Sequence, residues 1–210
     1  MSTSGLSSLF QRYPTLAACE SDLSAALAIC IECFTAGNRM LICGNGGSAA
    51  DAEHIVGELM KSYLKPRPVP TEFRERLATL EPEFGSEIGE HLEGALPALS
   101  LCGHPSLASA YANDVAPGMV FAQQVYGYGR PGDLLLAIST SGNSHNVLTA
   151  AVVARAIGLR TLGLTGASGG RLRNVCDITI RAPAEKTPEA QELHLPIYHW
   201  LCETIEAHFF

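Results

Sequence analysis

Charge is sparse in this chain and leans to one sign. Charged residues make up 17% of the sequence, Asp and Glu total 21 against 14 Lys and Arg, and the basic residues are dispersed. A formal charge of −7 without a basic cluster argues against the phosphate backbone of nucleic acid as a major ligand. No stretch reads as a helix-turn-helix either. Long apolar runs are missing too, since no window reaches the roughly 18 residues of a membrane span. The opening stretch Met1–Pro14 lacks a basic region followed by an apolar one, the pattern of a secretory leader. A cytoplasmic protein with no membrane association is therefore expected. A small phosphorylated ligand stays compatible, because backbone N–H groups at a helix N-terminus bind phosphate without a basic surface.

Nucleotide-binding patterns are also missing. No Gly-Lys-Ser/Thr follows a glycine-rich loop, and no Gly-x-Gly-x-x-Gly with a ribose-binding acid is present. The seven cysteines (Cys19, Cys30, Cys33, Cys43, Cys102, Cys176 and Cys202) are odd in number and mostly lie in apolar segments. They read as reduced core thiols. Cys30 and Cys33 form a C-x-x-C inside the apolar run Leu23–Phe34, and with no second pair at zinc-ribbon spacing they are expected to pack rather than to bind metal.

What is present is apolar sequence, 47% of 210 residues, enough to bury one sizeable core. The order of elements predicts an α/β domain. A helix over residues 20–36 leads to a buried strand Arg39–Cys43, then to the loop Gly44-Asn-Gly-Gly-Ser48 and a helix to about Tyr63. The same order recurs at strand Leu134–Ile138, loop Ser139-Thr-Ser-Gly-Asn-Ser144 and a helix through Ile157, and more weakly at Thr161–Thr165 with Gly166–Gly170. Strand, small-residue loop and helix in repetition predict a parallel sheet with helices on both faces. Residues 97–101 and 176–180 read as further strands and Glu189–Phe210 as a closing helix. A Pro-rich, then acidic segment at about 65–95 reads as an inserted helical hairpin or lid within a single domain spanning 1–210.

In such sheets ligands bind at loops leaving the carboxyl ends of strands. The two small-residue loops sit there and offer hydroxyls and backbone N–H groups to an anion; the bland alternative is helix capping. On the helix after the first loop, Asp51, His54 and Glu58 share one face. His54 and Glu58 at i, i+4 have the chemistry to share a zinc ion, although a polar surface helix would look the same. Near the other end, Gln191, His194 and His199 crowd a largely apolar helix, where unpaired polar groups would be costly to bury. The histidines either line a site or hydrogen-bond within the core.

Cys43-Gly-Asn-Gly-Gly-Ser48, His54-x-x-x-Glu58, Asn113-Asp114, Ile138-Ser-Thr-Ser-Gly-Asn-Ser144 and Gln191-Glu-x-His194 with His199 together resemble the sugar-isomerase (SIS) domain phosphoheptose isomerases. The resemblance spans nearly the whole chain outside about 65–95. It implies a three-layer αβα SIS-type fold and the conversion of sedoheptulose 7-phosphate to D-glycero-D-manno-heptose 7-phosphate through a metal-assisted enediol. It also implies one zinc per active site on His54, Glu58, Gln191 and His199, with Glu58 and His199 as catalytic acid and base. Substrate contacts fall on Asn45, Gly46, Gly47, Ser48, Glu58, Asn113, Asp114, Ser139, Thr140, Ser141, Ser144 and Gln191. The family's homotetramers place active sites at subunit boundaries. Gln191 and His199 lie eight residues, about 12 Å, apart on a straight helix. One ion therefore meets both only if Pro196 bends the helix or His199 comes from a neighbouring subunit, the option the tetramers favour. Two positions depart from the family: Ser62, next to Lys61, stands where many members have Arg, and Pro188, next to Glu189, where they have Asp. The alternative reading is a non-catalytic SIS protein that binds a phosphosugar or a protein such as the replication initiator DnaA.

Overall fold

The computed structural model describes residues 4–210; the first three residues of the Met1–Pro14 stretch lie outside it. Five parallel strands, β1 (Met40–Cys43), β2 (Ala98–Ser100), β3 (Leu134–Ile138), β4 (Arg160–Thr165) and β5 (Ile178–Arg181), form one sheet in the order β2-β1-β3-β4-β5. Every residue of β1 and β3 is buried, as a parallel sheet covered on both faces requires. Their side chains alternate between two cores. Met40, Ile42, Leu134, Leu136 and Ile138 point to one, and Leu41, Cys43, Leu135 and Ala137 to the other.

The first core is closed by α2 (Glu20–Thr35), α3 (Gly47–Met60) and α10 (Thr187–Phe209), with α1 (Ser4–Arg12) packed on α10. The second is closed by α7 (Val120–Tyr128), α8 (His145–Ile157) and the short α9 (Leu172–Val175). The result is the three-layer α/β arrangement expected from the strand–loop–helix repeats. The seven cysteines are free thiols, five of them buried, and burial raises the pKa of Cys30 and Cys33.

The segment between α3 and β2 folds into α4 (Thr71–Leu80) and α5 (Gly85–His91), closed at its base by an antiparallel bridge between Pro68 and Glu93. A Cβ on Gly85 would lie 2.1 Å from the Leu77 carbonyl oxygen, so glycine is what lets the two helices touch. No residue of α4 is buried. Among the described residues no helix is long and apolar enough to cross a membrane.

The base of this hairpin is tied to the body by a buried ion pair. Arg67 Nε lies 2.7 Å from Glu206 Oε1, with both side chains at most 1% exposed. Further hydrogen bonds surround the pair. Arg67 also donates to the carbonyls of Leu59 and Glu58, at 2.9 and 3.0 Å, and Glu206 accepts N–H bonds from Tyr63, Leu64 and Lys65. Burial alone would raise the Glu206 pKa; the Tyr63 and Leu64 N–H groups and Arg67 outweigh it and hold the carboxyl below its ordinary range. This network holds the last turn of α3, and with it the backbone of Glu58.

Candidate active site

Strands β1 and β3 are neighbours, while the helices that follow them, α3 and α8, lie on opposite faces. This is the switch point of a 2-1-3-4-5 sheet, where ligands of doubly wound folds bind. The loops Gly44–Ser48 and Ser139–Ser144 therefore leave the sheet there side by side, and a reciprocal amide pair joins the first loop to the first turn of α8: Asn45 and Asn146 exchange two hydrogen bonds of 2.9 Å. Asn146 escaped the sequence reading, which had no basis for pairing residues a hundred positions apart.

In the second loop the Ser139 hydroxyl is 2.9 Å from that of Ser144 and 3.5 Å from that of Ser141, while Thr140 Oγ1 reaches Thr187. Gly142 adopts a φ of +63°, and a Cβ there would lie 2.1 Å from the Gly169 carbonyl oxygen. The third small-residue loop thus braces the second. Neither α3 nor α8 draws a side-chain cap from the loop before it. In the second loop the serine hydroxyls face one another and Ser141 accepts the Asn143 N–H, so they are not spent on capping α8. Asn113 and Asp114 end the helix α6 (Pro105–Asp114) and hydrogen-bond each other at 2.8 Å. The turn after them reaches α8, where Thr149 donates to the Gly118 carbonyl and the His145 ring abuts Gly118.

The second group of site residues lies along α3 and α10. Gln191 packs on Gly47, whose missing side chain makes room for its amide: a Cβ would be 2.5 Å from Gln191 Nε2. Seven residues further along each helix, about 10 Å, Tyr198 meets His54, its hydroxyl 3.0 Å from His54 Nδ1. His54 Nε2 is 3.1 Å from Glu58 Oε1, and Lys61 Nζ is 3.3 Å from the other oxygen of this buried carboxylate. The His199 ring stands 5.0 Å from the His54 ring in the same chain.

Helix α10 runs through Pro196 as one element, and Gln191 and His199 stay at separate ends of the α3–α10 contact. His199 also borders a cleft of about 600 Å³ lined by Arg12, Tyr63 and Glu203. Burial lowers its pKa and His54 pushes the same way, with Glu58 opposing, so the ring is neutral near neutral pH.

As donors for a divalent ion, His54, Glu58 and His199 fit in kind. His199 Nε2 is buried without a partner, and imidazole with carboxylate is a zinc ligand set. Among the described residues, however, no three His, Cys, Asp or Glu side chains are grouped closely enough to hold an ion as they stand. His54 and Glu58 hydrogen-bond each other directly instead.

His194 has the core role. It is fully buried, its Nε2 3.2 Å from the Thr165 carbonyl oxygen at the end of β4. Burial pushes its pKa down to about 4 against the ordinary 6.5, a shift the Thr165 bond only partly offsets. The folded state holds a neutral ring that the unfolded chain protonates below 6.5, so this contribution to stability is complete above that pH and is lost as pH falls toward 4. The loss amounts to roughly 3 kcal/mol over the window. Urea unfolding at pH 7 and pH 5 should show wild type losing more stability than His194→Gln; equal losses would contradict it.

The departures from the family also have definite places. Lys61, not Ser62, meets Glu58; Ser62 instead accepts the Arg67 N–H and donates its own N–H to Glu93. Pro188 lies in the first turn of α10, and Glu189 pairs with Lys186 at 3.0 Å.

Comparison with known proteins agrees with the fold. A model of the SIS domain matches residues 86–166. The phosphoheptose isomerase of Rhodospirillum rubrum is 38% identical over 188 residues, covering 90% of this chain and 86% of that protein. A phosphoheptose isomerase structure from Francisella tularensis aligns over 97% of this chain and 95% of that one, with a TM-score of 0.76 and 30% identity. The structure of phosphoheptose isomerase GmhA from Neisseria gonorrhoeae gives a TM-score of 0.74 at 27% identity, covering 97% and 96%. The chain belongs to the phosphoheptose isomerase family, and it is a phosphosugar isomerase.

Proposed function

We propose that the chain converts sedoheptulose 7-phosphate to D-glycero-D-manno-heptose 7-phosphate through an enediol, with Glu58 as the proton carrier. The observation that carries this reading is the Glu58 carboxylate, buried and fixed between His54 and Lys61 on the helix that begins in the first small-residue loop. Aldose–ketose exchange needs a base within reach of the carbon next to the carbonyl and a positive group near the developing oxyanion.

Glu58 takes the proton from one carbon and returns it to the next, and neutral His199 moves a proton at the carbonyl oxygen. Ser139, Thr140, Ser141 and Ser144 hold the phosphate at the start of α8, with Asn45, Gly46, Gly47 and Ser48 on the other side of the switch point. Asn113 and Asp114 are the proposed contacts to sugar hydroxyls. A zinc ion on His54, Glu58 and His199 would supply Lewis acidity to the reacting oxygens. Gln191 stands at the far end of the α3–α10 pair in its own chain, which favours active sites shared between subunits of a homotetramer.

The test is incubation of the zinc-loaded protein with sedoheptulose 7-phosphate, with and without chelator, following aldose formation by NMR. Turnover that the chelator abolishes is expected. Folded, loaded protein that binds the sugar phosphate without turning it over would instead support a non-catalytic SIS protein.

A further inference from the structure

Residues 44–47 read Gly-Asn-Gly-Gly, so Asn45 carries the only side chain in the stretch that leads from β1 into α3. Gly46 turns the backbone there with a φ of +56°, a conformation that favours glycine. Glycine on both sides gives the loop wide backbone freedom, and Asn45 is the one side chain by which it can be gripped. Asn146, in the first turn of α8, does so. Asn45 Nδ2 donates to Asn146 Oδ1 and Asn146 Nδ2 to Asn45 Oδ1, each over 2.9 Å. The pair thus ties together the starts of two helices that follow neighbouring strands and lie on opposite faces of the sheet.

Asn45 is exposed and Asn146 half-buried, and hydrogen bonds open to water add little to stability. What the pair does fix is direction. A primary amide has two N–H donors and two acceptor sites. The reciprocal pair uses one of each on Asn45 and leaves one N–H and one lone pair in a set orientation. Turning over either amide alone would set oxygen against oxygen and N–H against N–H, so the two bonds together stop Asn45 from rotating. A side chain already held in this way spares a ligand the cost of ordering it.

We propose that Asn146 is a positioning residue for phosphosugar binding, acting through Asn45: it holds that amide and the glycine loop ready for the ligand. This role rests on reading the switch point as a phosphosugar site, but on neither metal nor turnover, so its tests use metal-free protein and binding alone. The first is proton–nitrogen NMR of the side-chain amides without ligand, with the Asn45 signals assigned by their loss in Asn45→Ala. Wild type should show them displaced from the free-amide position, and Asn146→Ala should return them to it.

The second is a double-variant cycle on the affinity for sedoheptulose 7-phosphate, measured by calorimetry. Asn146→Ala should bind about 3- to 10-fold more weakly, the range for losing one pre-ordered side chain. Asn45→Ala should lose at least as much, and the double variant no more than Asn45→Ala alone. A residue that only stabilised α8 would lower affinity in both backgrounds. Additive losses, wild-type affinity in Asn146→Ala, or Asn45 signals unmoved by it would each overturn the proposal. Wild-type protein that bound neither this sugar phosphate nor inorganic phosphate would overturn the phosphosugar reading and this role with it. Sugar phosphate bound but not turned over by the zinc-loaded protein would overturn the isomerase reading alone, and a non-additive cycle would still support the role of Asn146.

Discussion

Glu58→Gln should lower turnover of the phosphosugar by about 10²- to 10⁴-fold, the range for removing a positioned general base, with little change in substrate KM or in melting temperature. The amide keeps the shape of the carboxylate, and its oxygen still accepts from Lys61, so the turn of α3 has no reason to move. What is lost is the capacity to hold a proton at the point where His54 and Lys61 fix the side chain. Steady-state kinetics on the zinc-loaded variant, with bound metal counted, separate this from simple loss of the ion. Turnover near that of wild type with metal bound would remove Glu58 from the proton-transfer role.

The second large effect is on stability and starts far from the loops. Arg67→Ala should cost about 3–5 kcal/mol, because it leaves Glu206 buried and charged without its partner. The carbonyls of Leu59 and Glu58 also lose their donors, and the Phe210 ring loses the guanidinium 4.7 Å above it. Urea unfolding should show the loss directly. Replacing both partners, as Arg67→Met with Glu206→Leu, should recover part of it, since an apolar pair leaves no unpaired charge. Activity should fall with Arg67→Ala even where the protein is still folded, because the carbonyls that Arg67 caps belong to the turn that carries Glu58. A loss under about 1 kcal/mol would mean that water replaces the guanidinium, against the burial described above.

Much of this architecture could be read from the chain. Strands β1, β3 and β4, their loops and the helices after the first two follow from apolar runs that end in glycine and serine, and each lies within a few residues of its expected place. The helices α1, α6 and α7 do not follow in this way. Ser4–Arg12, Pro105–Asp114 and Val120–Tyr128 are short, α1 and α7 follow no strand, and the link from β2 to α6 is not a run of small residues like those before α3 and α8. α1 packs on α10 and α7 on α8, so the helicity of these two owes more to packing than to their own sequence, while α6 buries no residue.

At the site, local spacing sufficed for His54 and Glu58, which are one turn apart. It could not reveal Arg67 with Glu206, Asn45 with Asn146, or Tyr198 with His54, because each pair joins distant segments through a fold that periodicity does not encode. His194 and His199 illustrate the remaining ambiguity. Both are histidines on one apolar helix; the first is a buried core residue bonded to Thr165, and the second borders a cleft beside His54. Only the direction each faces on α10 separates them.

The most direct test of the central claim is the reaction of sedoheptulose 7-phosphate with the zinc-loaded protein in deuterated water. An enediol formed by Glu58 exchanges its proton with solvent, so the aldose should appear carrying deuterium at C2, and both the aldose and the label should disappear in Glu58→Gln. No aldose from folded, metal-loaded protein, or an aldose formed without label and at the same rate in Glu58→Gln, would contradict the account.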